Sequence, residues 1–357
     1  MKSIFTPIRY LFSDDFALRF AQWRTALVAR MPLGLALRRK RYELQTDHLA
    51  LDAFGMSFHS RIGLGAGYDR NGELIDAMAA TGFGFVEIGT ITPKPQPASP
   101  SPALHRLEGD RALLYCGQTE SQGVERVIEN IKSHNSRIII GCNIAKNDST
   151  PPEDAPREYL RLFRPLYQYA DYFTVNICRN SSERPYVPTS REEIMAILQP
   201  LFEFRRGQNQ YRPILLKISP DLEDEQIDLM TDIMIDTPLD GMVACAATTG
   251  RYGLENSKQI IHSLGRKAGA ITGSPLRERA LEVVRRVHSR AKGTYPIIGC
   301  GGISTADDAM AMLEAGASLV QVTTEYIYGG GKSIRNMRAG LNERLRKAQQ
   351  RQNLPTE

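Results

Sequence analysis

A (β/α)8 barrel, an α/β TIM-barrel fold with a small N-terminal helical extension, is what this chain predicts, on three observations. After residue 55, eight short apolar runs recur and end in glycine or a small polar residue: 61–67, 83–90, 137–145, 172–178, 213–219, 240–248, 296–302 and 318–324. Most are continuously apolar rather than alternating, as strands of a parallel sheet covered on both faces are. Between them lie helical patterns such as DEQIDLMTDIMID and TADDAMAMLEAG, the latter opened by Thr305 as N-cap and closed at Gly316. Eight strand–helix units in about 300 residues fit a closed barrel. A doubly wound sheet is the alternative. Against it, the first strand–turn, GLGAGYDRNGE, has no GxGxxG running on into a helix.

The remaining segments divide the chain into a helical extension (1–50), the barrel (51–345) and a polar tail (346–357). The composition, 42% hydrophobic and 24% charged over 357 residues, is that of an ordinary globular chain. No apolar run reaches the roughly 18 residues of a spanning helix. The stretch TALVARMPLGLAL is broken by Arg30 and Pro32. MKSIFTPIRYLFSDD turns acidic before any cleavage site, so no signal peptide is expected. Five cysteines without CxxC spacing predict reduced thiols in a cytoplasmic chain, and no metal site.

The net charge of +5 sits in residues 1–48, which hold nine Lys/Arg against four Asp/Glu, with Arg38, Arg39, Lys40 and Arg41 in one block. Two readings are open. A basic amphipathic helix predicts peripheral contact with an anionic membrane surface, here the inner face of the cell membrane. The other reading is a surface helix with a charged end. No aromatic-plus-basic motif accompanies the block, so nucleic acid is not an expected partner.

Chemistry in a barrel gathers at the carboxyl ends of the strands. Two insertions fall there: the proline-rich 92–121 after the second strand, and RNSSERPYVPTSRE (179–192) after the fourth, which reads as a lid. Lys217 lies inside the apolar run LLKIS and needs an anionic or polarised partner. Schiff-base formation, charge stabilisation of a bound cofactor and simple snorkelling are its three readings. GCGGIS (299–304) and TTEYIYGGG (323–331) follow the last two strands and suit a phosphate, or merely tight turns. Asn143, Asn176 and Thr90 end strands and suit the polar rim of a heteroaromatic ring, or the satisfaction of loop backbone. Cys178 is a candidate proton carrier if a cation such as Arg179 depresses its pKa, and otherwise an inert buried thiol.

These residues resemble a family. GLGAGYDRNGELIDAMAATGFGFVEIGTITPKPQP (63–97) is similar to the first two strands of class 2, quinone-linked dihydroorotate dehydrogenases. CNIAKN, VNI, LKISPDL, ITGSPL, IIGCGGI and EAGASLVQV continue the resemblance in order. It implies a flavoprotein that oxidises dihydroorotate to orotate in pyrimidine biosynthesis, with quinone as electron acceptor and the N-terminal helices docked on membrane. The FMN site it implies comprises Ala66, Gly67, Thr90, Asn143, Asn176, Lys217, Gly273, Gly301, Gly302, Thr323 and Thr324. Lys217 would face the flavin's pyrimidine edge, and the glycines and Thr324 would hold its phosphate.

The substrate side departs from the family pattern. Where the family has N-R-M-G-F-N-N this chain has YCGQTES (115–121), and where it has T-N-T-T this chain has CAAT (245–248). The family's lysine after G-L-D is Arg70. An ungapped reading of N-x-S-S-P-N-T puts Arg179 at the base position. A one-residue deletion puts Cys178 there and Asn180 at a substrate amide. Three functions are therefore expected in competition. The first is a flavin oxidoreductase, either the parent enzyme or a paralogue acting on another cyclic or carboxylated substrate. The second is a catalytically degenerate barrel that binds FMN or a phosphate ligand without redox turnover. The third is a Lys217 Schiff-base lyase or isomerase.

Overall fold

The computed structural model describes residues 13–98, 103–117, 119–178, 187–263 and 269–352. Arg179, Asn180 and most of the expected lid lie outside the described residues.

All eight predicted runs are barrel strands. In chain order the strands are β1 (Leu51–Ala53), β2 (Met56–Phe58), β3 (Ile62–Leu64), β4 (Phe85–Ile91), β5 (Leu104–Leu107), β6 (Ala112–Tyr115), β7 (Ile139–Ile144), β8 (Tyr172–Asn176), β9 (Ile214–Ile218), β10 (Gly241–Ala244), β11 (Ala270–Gly273), β12 (Ile297–Cys300) and β13 (Leu319–Val322). The barrel runs β3-β4-β7-β8-β9-β10-β12-β13, all parallel, and β13 pairs back onto β3. Every residue of β9 and β10 is buried, which is why their sequences carry no alternation.

The helices are α1 (Asp14–Ala29), α2 (Pro32–Tyr42), α3 (Ile75–Thr81), α4 (Val124–Ser133), α5 (Ala155–Leu166), α6 (Arg191–Arg206), α7 (Asp224–Asp236), α8 (Lys258–Ser263), α9 (Arg277–Arg290), α10 (Ala306–Glu314) and α11 (Thr324–Gln352). Thr305 caps α10 as expected: its hydroxyl accepts from the Asp308 N–H, and the Asp308 carboxylate returns the bond. The chain leaves α10 through Gly316, whose φ of 112° a β-carbon would oppose.

Two features have no counterpart in the sequence reading. The hairpin β1–β2 turns at Phe54 and Gly55, both with positive φ, and plugs the N-terminal end of the barrel. Phe58 there packs edge-on against Phe85, ring centres 5.3 Å apart, over Tyr172, Leu215 and Leu319. Strands β5, β6 and β11 form a separate antiparallel sheet. It gives the proline-rich insertion a rigid core and supports α1, whose Asp15 carboxylate accepts from the N–H groups of Ala103 (2.7 Å) and Leu104 (3.0 Å).

Helices α1 and α2 carry no buried residue. Large apolar side chains face outward along both, among them Phe20, Trp23 (59% exposed) and Leu33 (73%). Arg38 nevertheless ties α2 to the body, donating to the Ala77 carbonyl, the Thr81 hydroxyl and the Tyr326 hydroxyl. The last helix kinks at Gly330 (φ 63°). Beyond the kink, Arg338 donates to the Tyr42 carbonyl and the Thr46 hydroxyl, and Asn342 accepts from the His48 N–H.

Candidate active site

At the carboxyl end of the barrel lies a cavity of about 210 Å³. Ala66, Gly67, Thr90, Asn176, Cys178, Lys217, Gly273, Gly301, Gly302, Thr323 and Thr324 all line it. These residues come from loops and strand ends spread over some 260 positions of sequence, brought together because parallel strands end on one face.

Three groups of side chains organise the cavity. The first is a chain of amides and hydroxyls. Asn143 is fully buried below the cavity wall, and its Oδ1 accepts from Thr90 Oγ1 (2.8 Å) and Asn176 Nδ2 (3.1 Å). Asn143 Nδ2 in turn donates to Glu87 Oε1 at 2.8 Å. The structure thus brings the three residues together, with Asn176 and Thr90 at the cavity surface and Asn143 as their support.

The second is Lys217, whose side chain is 8% exposed and whose Nζ lies 3.8 Å from Glu87 Oε1. Burial is the largest single influence and opposes its charge, but Glu87, followed by the thiols of Cys300, Cys178 and Cys245, together outweigh it and the pKa is raised overall. Cys178, Cys245 and Cys300 stand around it. Cys178 Sγ donates to the Lys217 carbonyl at 3.0 Å, and its N–H donates to Asn176 Oδ1. Burial pushes the Cys178 thiol up to about 12, against the pull of Lys217. Among the described residues, then, Cys178 holds its proton at neutral pH. The cation expected to lower it, Arg179, is not described.

The third is a cradle of backbone. Gly273 (φ 110°), Gly301 (φ 118°) and Gly302 (φ 72°) meet beside Thr324, whose hydroxyl lies 2.9 Å from that of Thr272. A β-carbon on Gly302 would fall 2.4 Å from Arg277 Cα at the start of α9. We expect Gly302→Ala to destabilise the fold by roughly 1–3 kcal/mol and to weaken retention of a phosphate ligand, as flavin content of the purified protein would measure.

The cavity fits a flavin mononucleotide. The glycine cradle and the Thr324 hydroxyl would suit its phosphate, and Lys217 would offer a cation to its ring. Gln321 Oε1 is buried, lines the same cavity and has no hydrogen-bond partner among the described residues. Such an acceptor calls for a donor from a ligand. Gln321 and Glu87 were not singled out from sequence, although Glu87 in FVEIG carries the same signal as Lys217: a charge within an apolar strand.

Beside the cavity, and sharing Gly67 with it, lies a vestibule of about 710 Å³ between α1 and the barrel mouth. Phe16, Leu18, Trp23 and Leu27 of α1 form its apolar wall, and Arg70, Glu120 and Gln122 line its floor. Arg70 therefore stands outside the first cavity. Its Nη1 donates to Glu120 at 3.2 Å, and Arg19 of α1 grips the same carboxylate at 2.9 and 3.3 Å.

The profile of the dihydroorotate dehydrogenase family matches residues 48–345, spanning the barrel and the cavity at its mouth but not α1, which walls the vestibule. The chain belongs to that family. A dihydroorotate dehydrogenase (quinone) of Christiangramia forsetii is 34% identical over 343 residues, 96% of this chain and 99% of that one. Another so named, from Nitrosospira multiformis, is 40% identical over 285 residues, 77% of this chain and 79% of its own length. Among solved structures, a dihydroorotate dehydrogenase of Eimeria tenella in complex with ferulenol superposes with a TM-score of 0.82 at 27% identity, covering 94% of this chain and 92% of that one. The chain is thus an oxidoreductase of the dihydroorotate dehydrogenase type. None of these likenesses favours the degenerate barrel. In this dihydroorotate dehydrogenase family member, Ala246 and Ala247 line the barrel-mouth cavity and Glu120 occupies the Arg70 guanidinium.

Proposed function

We propose that the chain binds FMN in the barrel-mouth cavity, oxidises dihydroorotate or a closely similar carboxylated ring, and delivers the electrons to quinone through the vestibule. The observation that carries this reading is Lys217: a buried ammonium at the base of a cavity whose far end is a glycine cradle. FMN, when bound there, supplies the acceptor for the electron pair of the broken C–H bond.

The chain's own residues do the rest. The glycines of the cradle and Thr324 hold the phosphate. Lys217 Nζ keeps positive charge where negative charge develops, in a site screened from water. Asn176 and Thr90, locked by Asn143, would meet the polar edge of the flavin ring, and Asn176 would also reach the substrate held against it. Cys178 Sγ takes the proton from the substrate carbon next to the broken C–H bond. Its approach is fixed by the Asn176 bond to its own N–H. Arg179 is the alternative group at this step, and Asn180 and Arg70 are the proposed contacts to substrate amide and carboxylate.

No described helix is long and apolar enough to cross a membrane. The outward apolar side chains of α1 and α2, next to Arg38–Arg41, support peripheral seating on a lipid surface, where a quinone would enter the vestibule. The Arg70–Glu120 pair supports a second version of the substrate. With the anchoring cation already paired, a different cyclic or carboxylated substrate, bound without Arg70 as its anchor, competes with dihydroorotate as the natural substrate.

Anaerobic titration with dihydroorotate, followed by the flavin's visible absorption, tests the proposal. Prompt bleaching is the expected result. Flavin that stays oxidised with dihydroorotate but bleaches with dithionite would remove dihydroorotate as substrate and leave the cofactor site standing. A purified protein with no flavin, and none taken up from solution, would overturn the flavin reading itself.

A further inference from the structure

The barrel interior poses a question that the reaction above leaves open: why a carboxylate stands at its centre. Glu87 of β4 is fully buried. Its oxygens accept from Asn143 Nδ2 of β7 (2.8 Å), Thr174 Oγ1 of β8 (2.9 Å) and Gln321 Nε2 of β13 (2.7 Å), with the Tyr172 hydroxyl at 3.3 Å. Barrel interiors are ordinarily filled by branched apolar side chains, and a buried carboxylate is weak evidence for stability. This one is held by three strands so that its charge faces a fourth.

That fourth strand is β9, carrying Lys217. Nζ stands 3.8 Å from Glu87, beyond hydrogen-bond reach, and no hydrogen-bond acceptor is found for it among the described residues. Its three donors are therefore left for the cavity, while the nearby charge keeps the ammonium protonated. The other titratable groups facing Nζ are the thiols of Cys178 in the loop after β8, Cys245 after β10 and Cys300 of β12; each contributes less than Glu87 to holding the ammonium charged, and burial raises all three.

We infer that Glu87 is a positioning residue that fixes the protonation and aim of Lys217, and so sets the electron affinity of the ring bound above it. The inference rests on the flavin reading. Sulfite is the probe, because it adds to an electron-poor flavin ring and its adduct is stabilised by a neighbouring cation. Its dissociation constant would be measured on wild-type holoenzyme, Glu87→Gln and Glu87→Asp between about pH 6 and pH 10. In Glu87→Gln the clamp survives, since Gln321 turns its orphaned oxygen to accept from the new amide. Lys217 loses its counter-charge there and deprotonates in the accessible range.

The ratio of the Glu87→Gln constant to the wild-type constant should rise by about tenfold or more between pH 7 and pH 9. The Glu87→Asp ratio, with the charge kept, should stay flat within roughly threefold. A flat ratio in Glu87→Gln holoenzyme overturns the inference while leaving the flavin site intact. An equal slope in both variants also overturns it, because packing rather than charge would then be responsible. A wild-type protein that binds no flavin overturns both this inference and the function proposed above.

Discussion

Replacing Cys178 with alanine lowers turnover by about 10²–10⁴-fold, the usual contribution of a positioned acid–base group, and leaves flavin content unchanged. The thiol touches the Lys217 carbonyl and the edge of the cavity, not the phosphate cradle, so cofactor retention is insulated from it. The pH dependence has a fixed sign. Burial raises the thiol from 9.0 to about 12, and the base in the proposed step is the thiolate. The rate of flavin reduction should therefore rise about tenfold per pH unit through neutrality and past pH 9. Rapid-reaction measurements on wild type and Cys178→Ala check both points. Turnover by the alanine variant close to wild type would remove Cys178 from the proton step. A wild-type plateau below pH 8 would mean that a cation from 179–186 lowers the thiol when substrate is bound, which is the role first expected of Arg179.

Lys217→Met has the second large effect, and it falls on the fold as well as on the chemistry. It leaves Glu87 as an uncompensated charge inside the barrel, which costs roughly 3–5 kcal/mol. Urea unfolding should show a lower midpoint with the slope unchanged, together with loss of bound flavin. Combining it with Glu87→Gln should recover most of the stability and none of the flavin reduction, because the two sites are coupled. Stability losses that simply add in the double variant would show that the 3.8 Å separation carries no interaction.

How far the sequence revealed this site follows from what kind of signal each part leaves. The eight barrel strands are readable because parallel strands buried on both faces are continuous apolar words, and VEIG, LLKIS and IIGCGG are such words. Lys217 stands out for the same reason: a charge inside one of them demands a partner. That partner was equally visible as Glu87 in FVEIG, but only the closed barrel shows that β4 and β9 send their side chains to the same axis. The hairpin β1–β2 escaped because three-residue strands carry too little pattern, and its FG turn lacks the usual Asn-Gly signal. The β5–β6–β11 sheet escaped because it joins segments some 160 residues apart. The Arg19–Glu120–Arg70 link is likewise invisible in sequence. It depends on α1 folding back over the mouth, which no local preference of α1 or of the 115–121 loop dictates.

The bonds from the last helix to the segment after α2 have a consequence for how the protein is made. Arg338 reaches the Tyr42 carbonyl across 296 positions of sequence, and Asn342 reaches His48 across 294. Synthesis proceeds from the N-terminus, so α1 and α2 emerge before every group that fastens them, and the bonds from Arg338 and Asn342 are the last of those fastenings to become available. Until then α1 and α2 lack the clasp of the last helix, and Phe20, Trp23 and Leu33 remain exposed even once it forms. The α1–α2 extension is thus made before its clasp, and it keeps an apolar face that the clasp does not cover.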